Sequence, residues 1–399
     1  MTPANHDAIP ERILLGPGPS LADPRVLRVM SQPMIGYLDP AYLDIMNEVA
    51  RNLRDTLQTK NAATFPVQGT GFSGMDSCFG TLIEPGDKVI IAVLGFFGIR
   101  MCEMAERYGA NVVRLDQEWG KAFEPETIGE ALKANPDAKF LAIIHAETST
   151  GVLQPLQEIG ALCREHGVLF LVDAVTSVGG VELAVDDWGI DICYSGSQKC
   201  LGVPPGLAPV TINDRALGVV AERATPPASY YLDLSLIKEY WGEAHVYHHT
   251  GPMAMVYAMQ EALRIIMEEG LEARWARHAL NGSALRAGLE ALGLVLHAEA
   301  GCRLPSLTTV RVPEGVDDAA LRGRLLNEFN LEIGGGLGPL KGNTWRIGMM
   351  GYASKRSNVL YLLSVLETLL TEAGLRPARP GAGMAAAQEV YLQSAEAQN

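Results

Sequence analysis

Asp173 and Lys199 each close an apolar run: Leu169-Phe170-Leu171-Val172 leads into Asp173, and Ile192-Cys193-Tyr194 leads through Ser195-Gly196-Ser197-Gln198 into Lys199. A carboxylate and a lysine brought side by side suit one cofactor, pyridoxal 5′-phosphate (PLP). The amine forms a Schiff base with its aldehyde, and the carboxylate keeps the ring nitrogen protonated so that the ring accepts electrons. Burial makes such a lysine a usable nucleophile and base, because it disfavours the charged form. Freed by substrate, the same amine is the natural proton carrier, a role worth about 10² to 10⁴ in rate. Each residue also has a plainer explanation, Lys199 as a solvated charge and Asp173 as the cap of a helix or turn beginning at Ala174. Their shared position at the ends of neighbouring apolar runs favours chemistry.

Other groups could complete such a site. Gly69-Thr70-Gly71-Phe72-Ser73-Gly74 lies between an extended segment and a helical stretch, Met75 to Leu82, where close backbone approach and free amides favour a phosphate. The same glycines would fit a dinucleotide loop, but the next strand ends in Val93-Leu94-Gly95-Phe96-Phe97, without the required acid. The run Gly334-Gly335-Gly336-Leu337-Gly338 precedes Pro339 rather than a helix and is set aside as a phosphate loop. Phe97, just past a strand end, could stack on a flat heterocycle or belong to the core. His248 and His249 suggest a metal only weakly, since adjacent histidines are expected to point apart and no third ligand is evident. Arg346, inside an apolar strand pattern, calls for a carboxylate partner, internal or from a substrate.

These residues need a scaffold. Continuous apolar runs of four to eight residues suit strands covered on both faces, as in a parallel sheet, whose ligands sit beyond the carboxyl ends of the strands. Strand candidates are Val89–Val93, Phe140–Ile144, Leu169–Val172, Ile190–Tyr194 and Ala208–Ile212. Helical segments alternate with them, one opened by Pro155 and closed at Gly167. The pattern predicts an α/β fold, a mostly parallel sheet with helices on both faces.

The organisation expected is an irregular arm over 1–22, a large domain over 23–270, a small α+β domain over 271–375, and a linker with a tail helix over 376–399. The arm carries Gly16-Pro17-Gly18-Pro19-Ser20, too rich in glycine and proline for helix or strand. Pro24 to Thr59 reads as helical, broken near Gly36-Tyr37, and a helical tract from Pro252 to Leu292 should break at Gly270. The small domain should hold strands near Leu294–His297, Leu307–Val312, Ile333 and Trp345–Met349, with helices at Asp317–Phe329 and Ser357–Leu370. The tail helix, Met384 to about Ala395, has no evident role.

Composition narrows the class. The 399 residues are 48% hydrophobic and 20% charged, as in a globular enzyme of about two domains. A net charge of −14, without a Lys/Arg cluster, argues against nucleic acid and anionic membrane. Six scattered cysteines read as buried hydrophobes in a reducing compartment. The N-terminal residues lack a signal-peptide pattern, no apolar run reaches the roughly 18 residues of a membrane span, and Ala397-Gln398-Asn399 is no peroxisomal address. Cytoplasm is the expected location.

In order along the chain, Gly16-Pro17-Gly18-Pro19-Ser20, HAETSTG at 145–151, VDAV at 172–175, SGSQK at 195–199, YHHT at 247–250, GGLGPLKG at 335–342 and WRIGMMG at 345–351 resemble the class V, fold-type I PLP enzymes. The group most similar is the alanine–, serine– and ureidoglycine–glyoxylate aminotransferases, over residues 12 to 372. The resemblance implies a seven-stranded PLP domain, a small C-terminal domain, and a homodimer whose active sites lie at the interface. It implies that Lys199 holds PLP, Asp173 pairs with the ring nitrogen, Val175 and Phe97 sandwich the ring, and Thr148 bonds near it. Thr70, Gly71, Phe72 and Gln198 would face the phosphate, joined by Tyr247 and Thr250 of the other subunit; relatives often carry His where Phe72 stands. Arg346 would clamp the substrate carboxylate, and the regions of Gly18, Gly36 and Tyr37 would form the pocket wall.

The tail helix and the stretch DQEWGKAFEPETI look like the bacterial ureidoglycine enzymes, yet those carry Gln and Asn where Tyr37 and Tyr247 stand. A site built for polar groups rejects what it cannot pair, by about 10⁴ to 10⁵ in favourable cases. The expectation is therefore a ping-pong aminotransferase moving the amino group of alanine, or second of serine, to glyoxylate; ureidoglycine–glyoxylate transfer is the alternative. A cysteine desulfurase would need a ring-stacking histidine and a nucleophilic cysteine loop. A pyridoxamine–pyruvate transaminase would not need Gln198, Tyr247 and Thr250. A NAD-dependent oxidoreductase would rest on the 69–74 glycines alone, and a non-catalytic scaffold on nothing specific.

Overall fold

In the computed structural model the described residues are 9–396, so the reading of Ala397-Gln398-Asn399 and of the first eight residues of the arm lies outside them. Seven strands form the central sheet in the order Ala63–Gly69, Gly206–Ile212, Ile192–Tyr194, Leu169–Asp173, Phe140–Ile144, Lys88–Val93, Asn111–Asp116. Gly206–Ile212 alone runs antiparallel to its neighbours. The inner strands are buried along their whole length, which is why they read as unbroken apolar runs. Helices pack on both faces, including Gly71–Leu82, Phe96–Arg107 and Gln157–Glu165.

Several expectations need correction. Asn111–Asp116 is a strand the sequence reading missed; at one edge of the sheet, its residues are half-buried or exposed and it carries Arg114. The strand expected from Ile190 begins at Ile192, and the helix expected from Pro155 begins at Gln157. Leu294–His297 is no strand, since only Leu296 bridges, to Val310. The arm is not wholly irregular either. Ile13–Leu14 pairs in parallel with Leu331–Glu332, and Leu15 is buried in the C-terminal core.

Helix Met253–Glu269 ends at Gly270, whose φ of +81° suits glycine, and helix Leu271–Ala291 follows. Beyond it Leu307–Arg311, Thr344–Gly348 and Gly334–Gly335 form a three-stranded sheet, packed with helices Asp318–Phe329 and Arg356–Glu372 around a second core. The tail helix, Ala382–Glu396, lies against Leu271–Ala291, where the Tyr391 hydroxyl donates to Asn281 Oδ1 at 2.7 Å. It closes the second core. The six cysteines are all buried and unbridged. No helix among the described residues is long and apolar enough to cross a membrane.

Candidate active site

The parallel register sets Asp173 opposite Tyr194 and Ile144 opposite Asp173, so these strands end level with one another. Asp173 is almost fully buried, and Oδ1 accepts from the Val175 amide and Oδ2 from the Tyr194 hydroxyl, both at 2.8 Å. The capping contact foreseen as the plainer role of Asp173 is thus present, but on a turn, and it occupies one oxygen only. Burial pushes this carboxyl up to about 6, against the pull of the Val175 amide, the Tyr194 hydroxyl and Lys199. A cation held against it would reverse that rise.

Lys199 follows on the next loop, buried, and its ammonium donates to the Pro17 carbonyl. Burial, with Arg346 adding repulsion, pulls its pKa down to about 8. The N-terminal arm encloses it. Ser20 Oγ donates to the Lys199 carbonyl at 2.6 Å and the Ser20 amide to the Gln198 carbonyl at 2.8 Å. Gly18, at φ +119°, lies so close that an added Cβ would stand 2.6 Å from Lys199 Nζ. The arm therefore joins the second core to the lysine loop.

Beside Asp173 and Lys199 opens a cleft lined by Thr70, Gly71, Phe72, Phe97, Thr148, Asp173, Val175, Gln198 and Lys199 among others. Gly71 has no room for a side chain, since a Cβ would meet Val175 Cγ2 at 2.7 Å. Phe97 faces the cleft and meets the Phe72 ring at a centroid distance of 6.1 Å. Gln198 presents a buried side-chain oxygen without a partner.

Arg346 stands at the side of this constellation, buried, its Nε on the Gly335 carbonyl at 2.7 Å and Nη1 on the Thr148 carbonyl at 3.5 Å. Neither contact is to a carboxylate. Burial pulls even this guanidinium down to about 10, with Glu147 opposing the fall.

Six expected residues are outside the cleft lining: Arg346 and Gly18, which stand close to Lys199, and Gly36, Tyr37, Tyr247 and Thr250, which lie farther off. Gly36 has open space around it, and Tyr37 packs on Tyr247 at a ring distance of 5.2 Å. Tyr247 is 55% exposed, and its hydroxyl reaches Thr250 Oγ1 at 3.4 Å. The Thr250 carbonyl accepts from Gln68 Nε2 at 3.0 Å. His248 and His249 correct another expectation: they do not point apart but meet Nδ1 to Nδ1 at 2.7 Å, with His248 Nε2 3.0 Å from the Tyr230 carbonyl. That carbonyl can only accept, so His248 carries its proton on Nε2 and the Nδ1 proton between the rings belongs to His249. Among the described residues no group of three or more His, Cys, Asp or Glu is placed to hold a metal ion.

A family model described as aminotransferase class-V matches residues 29–355. The chain belongs to the class-V aminotransferases. It is 44% identical to the (S)-ureidoglycine–glyoxylate transaminase of Bacillus subtilis (strain 168), over 96% of either chain. The solved ureidoglycine–glyoxylate aminotransferase of Bacillus subtilis superposes with a TM-score of 0.94 at 45% identity, covering 96% of this chain and 99% of that one. The solved alanine–glyoxylate aminotransferase of Nostoc sp. superposes at 0.89 with 49% identity, covering 91% and 96%.

A class-V aminotransferase is a PLP-dependent transaminase, and its fold is the fold-type I arrangement described above. The cleft fits that cofactor. A buried acid, a lysine of lowered pKa, a glycine packed against Val175 and the unpartnered side-chain oxygen of Gln198 line one cleft. The sequence reading passed over Tyr194, Pro17, Ser20 and Glu147. Glu147 had one available signal: it lies inside the HAETSTG motif, from which only Thr148 was taken. It is fully buried, and its carboxyl is pushed up to about 7 by burial, opposed chiefly by Ser149.

Proposed function

We propose that this class-V aminotransferase moves the amino group of a small amino acid, alanine first and serine second, to glyoxylate, giving glycine and a 2-oxo acid in a ping-pong course. The observation that carries the reading is Arg346, a buried guanidinium beside the lysine to which no carboxylate among the described residues is hydrogen-bonded. A donor carboxylate would supply what it lacks, in bidentate form.

When bound, PLP supplies an aldehyde for condensation with amines and a ring that accepts electrons. Lys199 would hold it covalently, Asp173 would face the ring nitrogen, Val175 and Phe97 would lie on the two faces, and Thr148 would bond near the ring. Thr70, Gly71, Phe72 and Gln198 would meet the phosphate. Once substrate frees Lys199, its lowered pKa leaves an appreciable share of neutral amine near neutral pH, ready to take and return the substrate Cα proton.

The site would be completed by a second copy of the chain in a homodimer. Support comes from a concentration of exposed large apolar side chains around Tyr247: Tyr230, Tyr231, Val246, Met34 and Leu38. Tyr37 touches Tyr247, so both would enter the partner's site together, along with Thr250 and the stretch around Gly36. Tyrosines there offer no amide to a ureido group, which favours alanine. Ureidoglycine is the second reading, favoured by the 96% coverage of the Bacillus subtilis relative.

The test mixes cofactor-loaded protein with each donor separately and follows loss of the cofactor's visible absorption, then its return with glyoxylate. Bleaching by alanine or serine and recovery with glyoxylate is the expected result; bleaching by ureidoglycine alone overturns the donor assignment. Double-reciprocal plots should be parallel, and intersecting lines would count against ping-pong transfer.

A further inference from the structure

Two side chains flanking Thr148 take no part in the chemistry above, yet both are fully buried: Glu147 and Ser149. Glu147 Oε1 accepts from the Ser149 amide at 2.9 Å and from the Ser149 hydroxyl at 2.7 Å. Ser149 Oγ in turn accepts from the Phe96 amide at 2.9 Å. The direction of this relay follows from its end groups. The Phe96 amide can only donate, Oε1 already accepts the Ser149 amide, and the Ser149 hydroxyl gives its single proton to that same carboxylate oxygen.

Phe96 opens the helix Phe96–Arg107, whose N-terminal residue, Gly95, offers no side-chain cap. Ser149 supplies that missing acceptor from a distant segment. Gly95 rests directly on the same pair, because a Cβ there would stand 2.4 Å from Glu147 Cγ and 2.5 Å from Ser149 Oγ. The next residue along is Phe97. Its ring meets Phe96 at 5.6 Å and Phe72 at 6.1 Å and otherwise faces the cleft, so its position is set chiefly by the backbone it hangs from.

We propose that Glu147, acting through Ser149, is the positioning residue that holds Phe97 over the cofactor ring. This rests on the class-V reading and on Phe97 as the stacking residue. The other Glu147 oxygen, Oε2, is buried with no partner at full hydrogen-bond distance, while the Phe97 amide also pulls on the Glu147 carboxyl, so the pair bears on the Phe97 backbone directly as well as through Phe96. Glutamine keeps an acceptor oxygen at the same place. It should therefore replace Glu147, whereas alanine should not.

The experiment titrates PLP into the stripped full-length chain, reading affinity and the visible circular dichroism of the bound cofactor, with apo melting temperature in parallel. Glu147→Ala and Ser149→Ala should each weaken PLP binding about tenfold and diminish the dichroic band, while Glu147→Gln restores both. In a Phe97→Ala background, Ser149→Ala should cause no further loss, because the group it positions is gone. Native affinity and dichroism in Glu147→Ala, with only a lower melting temperature, would make the relay purely structural and overturn the proposal. So would additive losses in the double variant, or Gln as damaging as Ala. Should Glu147→Ala not fold, the Ser149/Phe97 cycle decides alone. A wild-type chain that takes up no PLP sinks the class-V cofactor reading instead, a distinct outcome.

Discussion

At the floor of the cleft, Asp173, Tyr194 and Lys199 are buried, and each has its polar atoms engaged by neighbours in the same chain. Around Tyr247 the reverse holds: Tyr230, Val246 and Tyr247 leave more than half of their surface open, and Tyr37 covers Tyr247 only in part. Both regions carry functional expectations from the same motif set, but one is packed within its own chain and the other is exposed on its surface. Strand ends in a parallel sheet are covered by their own helices and loops, so a site there is rigid before any ligand arrives. A patch of exposed aromatics is what an interface needs, and its chemistry waits on whatever covers it.

The sharpest break in this comparison comes at the floor. Lys199→Ala should lose about 10⁴-fold in turnover, read in single-turnover transfer, since it would remove both the proposed anchor and the proposed proton carrier. The patch is tested by mixing. Lys199→Ala and Tyr247→Ala chains, each impaired, should regain activity when dissociated and reassembled together, because one site of the hybrid then draws only on native residues. Mixtures that stay impaired would place Tyr247 in its own chain's site, or outside any site.

Specificity offers a smaller effect on the same patch. Tyr37→Gln with Tyr247→Asn should shift the ureidoglycine-to-alanine preference by about 10²-fold in kcat/KM, with Tm unchanged within error. A pH effect returns to the floor. Lys199 has a folded pKa of about 8, below that of a free lysine, so its neutral, reactive amine dominates above about 8 and is lost as pH falls. Cofactor uptake by the stripped protein should slow about tenfold per pH unit below that value, followed by stopped flow. Smallest is a control far from both regions. Tyr391→Phe removes the hydrogen bond to Asn281 and should cost about 1 kcal/mol in denaturant unfolding while leaving PLP affinity untouched.

Much of the frame was legible. Phe140–Ile144 matches its apolar run at both ends, and Gly270 separates two helices because its backbone sits where other residues are strained. The edge strand Asn111–Asp116 escaped because it is short, none of its residues is fully buried, and Arg114 breaks its apolar run. Ile13–Leu14 escaped because its partner strand, Leu331–Glu332, lies at the other end of the chain. Nine of the expected site residues line one cleft, since Thr70, Phe97, Thr148, Asp173 and Lys199 each follow or end a strand of one sheet.

What the amino-acid sequence determined was the chemistry on offer: a strand-end acid, a lysine after an apolar run, an arginine in a buried strand, and the order in which a parallel sheet would bring them to one edge. Tertiary structure decided which groups are tuned and by whom. It set the arm's Pro17 and Ser20 on the lysine loop, the Tyr194 hydroxyl on Asp173, and the Glu147–Ser149 pair beneath Phe97. Those contacts join segments far apart in the chain, and their strength comes from excluding water, a property of the folded whole that no local spacing carries.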